Sequence, residues 1–97
     1  MPTYAVTYTY TDDTAQRDAV RADHRTYLSG LADDGVVRAS GPLAPVAGVP
    51  DGALLIFEAA SRDALDALVD ADPFVEAGLV AGRDVREWNV VIGGFAS

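Results

Sequence analysis

The period of the apolar residues changes repeatedly along this chain, and the order of the changes limits what it can fold into. Tyr4 to Tyr10, YAVTYTY, alternates in the manner of a strand rich in aromatic and β-branched residues. Thr11-Asp12-Asp13-Thr14 then supplies turn and N-cap chemistry. From Ala15 to about Asp34 the period becomes helical, with Val20, Tyr27, Leu28 and Leu31 on one face and Gly35 as the C-cap candidate.

The second half repeats that alternation of periods. Val36 to Ser40 reads as a short strand ended by Gly41-Pro42, and a Pro- and Gly-rich loop runs from Leu43 to Gly52. Ala53 to Ala59, ALLIFEA, is nearly all apolar and predicts a central strand. Ser61 can cap a second helix carrying Leu65, Leu68 and Val69. Pro73 breaks that helix, because the residue before a proline avoids the α region. A helical turn, PFVEAG, follows, and Arg83 to Ile92 predicts a last strand around Val85, Trp88 and Val90.

The order β-α-β-β-α-β is the ferredoxin-like, split βαβ arrangement, an α+β fold with an antiparallel sheet. Two helices cover one face of such a sheet and leave the other open. Tyr4, Val6, Tyr8 and Tyr10, with Leu55 and Phe57, are too apolar to leave wet, so a second copy of the chain is expected to cover them, two sheets face to face.

With 97 residues the chain is one domain, residues 1–97, its core spanning about 4–92 and GGFAS, 93–97, forming a tail. No apolar run approaches the roughly 20 residues of a membrane-spanning helix. Met1-Pro2-Thr3 shows no signal-peptide character and no cysteine is present, so a cytoplasmic location without disulfides is the expectation. Fifteen acids face seven bases, all arginine, for a formal charge of −8. Such a surface repels phosphate backbones and anionic lipid, which sets nucleic-acid and membrane roles aside. Surplus carboxylates also suit high salt, although ordinary acidic proteins share this balance.

His24, the single histidine, falls near the centre of the first helix's apolar stripe, flanked by Arg17 and Arg21. It reads either as a core-edge residue with one satisfied hydrogen bond or as a proton-transfer group at the bottom of a cleft. Asp72 before Pro73 is an N-cap pattern that needs no catalysis. It is also in phase with Leu65, Leu68 and Val69, which turns it toward the buried side, where a carboxylate beside an imidazole would fix its tautomer. Gly41 lets a ligand approach the backbone closely, and Ser40-Gly41-Pro42 is equally a plain strand exit. One histidine and scattered aspartates make no metal-ligand cluster, and no nucleotide, phosphate-loop or nucleophile-elbow motif is present, so neither metal nor cofactor is expected.

Three segments in order, RADHRTYLSGLADDGVVRASGPL, GALLIFEAASRDALDALVDADPFVEAGLV and VREWNVV, resemble the YciI-like (YCII-related) proteins over about residues 4 to 92. The marks are the histidine of the first helix, the SGP strand end and the DP-aromatic-xxAG run. The resemblance implies a ferredoxin-like fold paired as a dimeric α/β barrel, with a His-Asp dyad in a cleft of each protomer. By matching motif the dyad is His24 and Asp72, Ser40, Gly41 and Pro42 line the cleft, and Arg21 joins them. One branch of the family eliminates chloride from a chlorinated hydroxyquinol, which implies acid–base chemistry on a small polar ring.

The expected mechanism follows from these residues. Asp72 orients His24 and stabilises its imidazolium, while His24 takes a proton from a small acidic substrate or activates water. Arg21 or the Gly41 N–H would hold the developing anion. The alternative is a non-catalytic, homodimeric module that binds a small aromatic or acidic ligand between Tyr27, Phe74 and Trp88, with His24 as a hydrogen-bonding group. A purely structural dimer is a third reading.

Overall fold

The computed structural model describes residues 1–95; of the predicted tail, 96 and 97 lie outside the described residues. The elements run β1 (Thr3–Tyr10), α1 (Thr14–Asp33), β2 (Val37–Pro42), β3 (Gly52–Glu58), α2 (Arg62–Asp70), α3 (Pro73–Glu76) and β4 (Val80–Glu87). The strands form one antiparallel sheet in the order β2-β3-β1-β4, which is the ferredoxin-like α+β topology. Within one chain the sheet is open and does not close into a barrel. None of the described helices is long and apolar enough to cross a membrane.

The helix ends are set by side chains named in the sequence. The carboxylate of Asp13 accepts the Gln16 N–H at 3.1 Å and starts α1, and the Ser61 hydroxyl accepts the Ala64 N–H at 3.1 Å and starts α2. Helix α1 ends in a Schellman motif: Val36 N–H reaches Leu31 C=O at 2.8 Å and Gly35 N–H reaches Ala32 C=O at 3.0 Å. That geometry places Gly35 at φ +79°, where a side chain would be strained. Gly52 is required for a different reason, since a Cβ there would stand 2.3 Å from the Tyr8 carbonyl oxygen.

The sheet corrects one premise of the sequence reading. Tyr4, Val6, Tyr8 and Tyr10 lie on the helix-covered face, where they form the core with Leu55, Phe57, Leu65, Val69 and Phe74. Directly paired residues share a face, so Val6, Leu55 and Val85 sit together under the helices. The open face carries the other parity, including Ala5, Thr7, Leu54 and Asp84. Alternation shows that a strand has two different faces; it does not say which of them the helices take.

The last strand is also displaced from its expected range, ending at Glu87 rather than Ile92. Its length is dictated by β1: Glu87 pairs with Tyr4, Trp88 N–H still reaches Thr3 C=O at 2.7 Å, and no β1 residue remains beyond. At its other end β4 starts at Val80, opposite Tyr10. Val90, Val91 and Ile92 therefore lie past the ladder and are exposed. In β2, Gly41 and Pro42 belong to the strand, paired with Leu54 and Ala53, which Pro tolerates because β2 is an edge.

Candidate functional site

Three separate elements converge on Asp72. The carboxylate caps α3, with Oδ1 accepting the Phe74 N–H at 3.0 Å. The same oxygen lies 2.7 Å from His24 Nδ1 on α1, and Oδ2 accepts the Tyr8 hydroxyl of β1 at 2.9 Å. Asp72 is only 1 % exposed, so these three contacts replace its water. A carboxylate is an acceptor only. His24 Nδ1 therefore carries the hydrogen that meets Oδ1, and in the neutral imidazole this places the lone pair on Nε2. Capping and imidazole orientation are thus done by one side chain.

His24 is 9 % exposed and forms part of the wall of a cleft of about 710 Å³. Its Nε2 has no hydrogen-bond partner among the described residues and is the ring nitrogen available to a ligand. The imidazole lies flat on the Phe74 ring, with centroids 3.9 Å apart and planes 12° from parallel. Tyr10 meets Phe74 edge-on at 5.4 Å, and Tyr8 meets Tyr10 at 6.1 Å. This aromatic packing fixes the plane of the imidazole from below, while Asp72 fixes its rotation.

Burial pushes the Tyr8 phenol well above the ordinary tyrosine range, and the Asp72 carboxylate adds to the effect. Tyr10 is pushed up to about 12, again first by burial and then by Asp72, with Arg17 opposing. Tyr8 therefore stays protonated and keeps donating to Asp72 across the physiological range.

The cleft opens between α1 and the β2 edge with the loop beyond it. Arg21 and Phe74 line it, as do Ser40, Gly41 and Pro42. Tyr27 does not: it follows His24 by three residues on the helix, which turns it toward α2, where its hydroxyl donates to Leu68 C=O at 2.7 Å. Trp88 is also absent from the cleft, standing past the end of β4 against Phe95 at 6.1 Å. Arg17 is nearly buried, with its guanidinium on Asp51 at 2.8 Å and Thr11 C=O at 2.9 Å, and it lies over the Tyr10 ring. It braces the cleft end rather than facing solvent. Among the described residues no three His, Cys, Asp or Glu side chains are grouped to hold a metal ion.

Sequence reasoning missed two participants. Tyr8 was legible only as part of an apolar strand face expected to pair with a second copy of the chain, because its partner is 64 residues away. Arg25 could have been found: Arg17, Arg21 and Arg25 recur every fourth residue beside His24, which places all three along one side of α1.

A four-stranded ferredoxin-like sheet with a cleft built around a buried carboxylate and an imidazole defines the class. The chain belongs to the YCII-related domain family, whose model matches residues 1–89. It is similar to 5-chloro-2-hydroxyhydroquinone dehydrochlorinase (TftG) from Burkholderia phenoliruptrix AC1100, solved in complex with 2,5-dihydroxybenzoquinone. That match has 28% sequence identity and a TM-score of 0.77, over 90% of this chain and 93% of that one. The cofactor-independent oxygenase SnoaB from Streptomyces nogalater shares the fold at 12% identity and TM-score 0.54, over 94% and 95% of the two chains. So does a dimeric ferredoxin-like protein of unknown function from Thermobifida fusca, at 19% and 0.51, over 93% and 92%. No curated protein matches the sequence.

Proposed function

We propose that the protein is a small-molecule enzyme in which His24 moves a proton and Asp72 orients and charges it. The observation that carries this reading is the 2.7 Å contact between His24 Nδ1 and the buried Asp72 Oδ1, with Nε2 left for the cleft. Nε2 takes a proton from an acidic O–H or C–H of the substrate, and the imidazolium that forms is compensated by Asp72. In an elimination, the electron pair released from that bond forms a new double bond and expels an anionic leaving group. In a hydrolysis, the same nitrogen takes the proton of an attacking water. Likeness to a dehydrochlorinase supports the first form and a small, polar, planar substrate.

The test is turnover of a panel of halogenated and unhalogenated hydroquinones, phenols and small esters by the wild type, His24→Ala and Asp72→Asn. Loss of about 10²–10⁴-fold in either variant is expected for a positioned acid–base group. Unchanged turnover in His24→Ala overturns the proposal.

A second reading is kept by the flat stack of His24 on Phe74, which would serve equally as the wall of a non-catalytic binding module. Tight binding of a panel compound with no chemical change would favour it. In either case we propose a homodimer, supported by family resemblance and by Leu54, which is 41 % exposed in the middle of the open sheet face.

A further inference from the structure

The chain's charge is distributed against its own balance. Of seven arginines, four line the one cleft that holds His24: Arg17, Arg21 and Arg25 from α1, and Arg38 from β2. Of fifteen carboxylates, only Asp51 does so, and it is bonded to Arg17. The lining side chains sum to +3 and the remaining three arginines and fourteen carboxylates to −11. Because Asp18 and Glu58 pair with Arg21 and Arg38 from just outside the lining, Arg25 is the cation left uncompensated there among the described residues. A cationic concavity in an acidic molecule concentrates field lines and draws small anions to itself.

The four cations differ in availability. Arg17 is held by Asp51 and the Thr11 carbonyl. Arg38 donates to the Phe95 carbonyl and stands 3.8 Å from Glu58. Arg21 is tied to Asp18, an exposed i,i+3 pair of the kind that contributes little and exchanges readily. Arg25 is exposed and makes no hydrogen bond or ion pair among the described residues. One turn separates it from Arg21, so two guanidinium forks reach the same wall of the cleft. The opposite and deeper surfaces are apolar, formed by Leu28, Val37, Ala53 and the Phe74 ring.

We infer that this cleft selects a small planar carboxylate, with Arg25 and Arg21 taking the carboxylate and the apolar floor beside His24 taking the body. Guanidinium matches a carboxylate with two parallel hydrogen bonds, which a neutral amide cannot reproduce. The assignment rests on the reading of the cleft as a small-molecule site and adds the chemical class of ligand. It holds whether or not the ligand is turned over. It also gives a role to a charge pattern that the His24–Asp72 chemistry leaves unused.

The experiment is calorimetric titration of the full chain with matched pairs of probes: benzoate and benzamide, their mono- and dihydroxy derivatives, and the corresponding five-membered heteroaromatic acids and amides. Carboxylates are expected to bind at least about tenfold tighter than their amides, as one well-made charged bidentate contact requires. In Arg25→Gln that ratio falls to about twofold, and in the Arg21→Gln/Arg25→Gln double variant it disappears. Added salt weakens the acids and leaves the amides unaffected. Equal binding of acid and amide, no binding by any acid, or selectivity that survives in the double variant overturns the inference. Its failure is separable from failure of the acid–base reading. Carboxylate preference without turnover of any substrate sinks only the enzyme proposal, whereas His24-dependent turnover of neutral substrates with no carboxylate preference sinks only this one.

Discussion

Tyr8 and Asp72, 64 residues apart, meet in the core with the phenol donating to Oδ2 at 2.9 Å, while Oδ1 serves His24 and the α3 backbone. The carboxylate is thus held at both oxygens, from β1 on one side and from α1 on the other. Its orientation is a property of the whole fold rather than of one loop.

The first prediction concerns that hydroxyl. Tyr8→Phe removes one donor and leaves a buried carboxylate oxygen unpaired, at a cost of about 1.5–3 kcal/mol for a hydrogen bond to a charged group. Denaturant titration should show this loss with an unchanged m-value. If Tyr8 positions Asp72, the variant also lowers kcat on whichever substrate is found while leaving KM in place. A variant as stable as the wild type would mean that the Tyr8 hydroxyl contributes nothing to the site.

Asp72 offers a way to separate charge from shape. In Asp72→Asn the amide oxygen can still accept from Phe74 N–H and His24 Nδ1–H, and its NH₂ can donate to the Tyr8 oxygen. The cap and the His24 tautomer should survive, and ring ¹⁵N shifts of the single histidine report this directly. What is lost is the negative charge opposite a developing imidazolium, so turnover should fall by about 10²–10⁴-fold without unfolding. Asp72→Ala should behave differently: it forfeits the cap, worth about 0.5–2 kcal/mol, and strands two buried donors. Equal turnover in Asp72→Asn and the wild type would remove the carboxylate from the mechanism.

Much of this arrangement was legible in the chain, and the reasons are local. The β-α-β-β-α-β order followed from switches between two periods, and the phase of Asp72 with Leu65 and Val69 pointed it inward before any partner was known. His24 and the SGP segment were carried by family resemblance. What stayed hidden depends on how elements dock. The parity of Tyr4, Val6, Tyr8 and Tyr10 was plain, but the side on which α1 and α2 lie was not. Tyr27 and Phe74 looked alike as aromatic walls, yet a rotation of less than one helical turn sends Tyr27 to α2. The end of β4 was set by the length of its neighbour β1, which no pattern in 83–92 contains.

The buried phenols predict a loss of stability in alkali. Tyr10 is pushed up to about 12 from an ordinary value of 10.0, and Tyr8 is raised as well. A raised folded-state pKa means that the unfolded chain releases these protons first. Stability from this source is full below about pH 10 and declines as pH rises from 10 toward 12. Denaturation midpoints measured across that window should fall, and less steeply in Tyr10→Phe. In an ultraviolet phenolate titration of the wild type, Tyr8→Phe and Tyr10→Phe should each remove amplitude from the late part of the curve. A midpoint that is flat across the window would contradict the burial of both hydroxyls.

The open sheet face gives the last prediction. Leu54 projects from β3, a central strand, on the side away from the helices, where Thr7 of β1 and Gly41 of β2 are its cross-strand neighbours. A protomer alone leaves this leucine partly in water, with no side chain from Gly41 to cover it, whereas a second sheet packed against it would bury it. Under the homodimer proposal Leu54→Arg places a charge at the centre of that contact, and burial without a partner is costly enough to dissociate a modest interface. Sedimentation equilibrium should then give the dimer mass for the wild type and the monomer mass for the variant. The His24–Asp72 contact lies on the other face, among the helices, so the ring ¹⁵N shifts of His24 should be the same in both. Equal masses for the two proteins would show that this face is not the one that pairs.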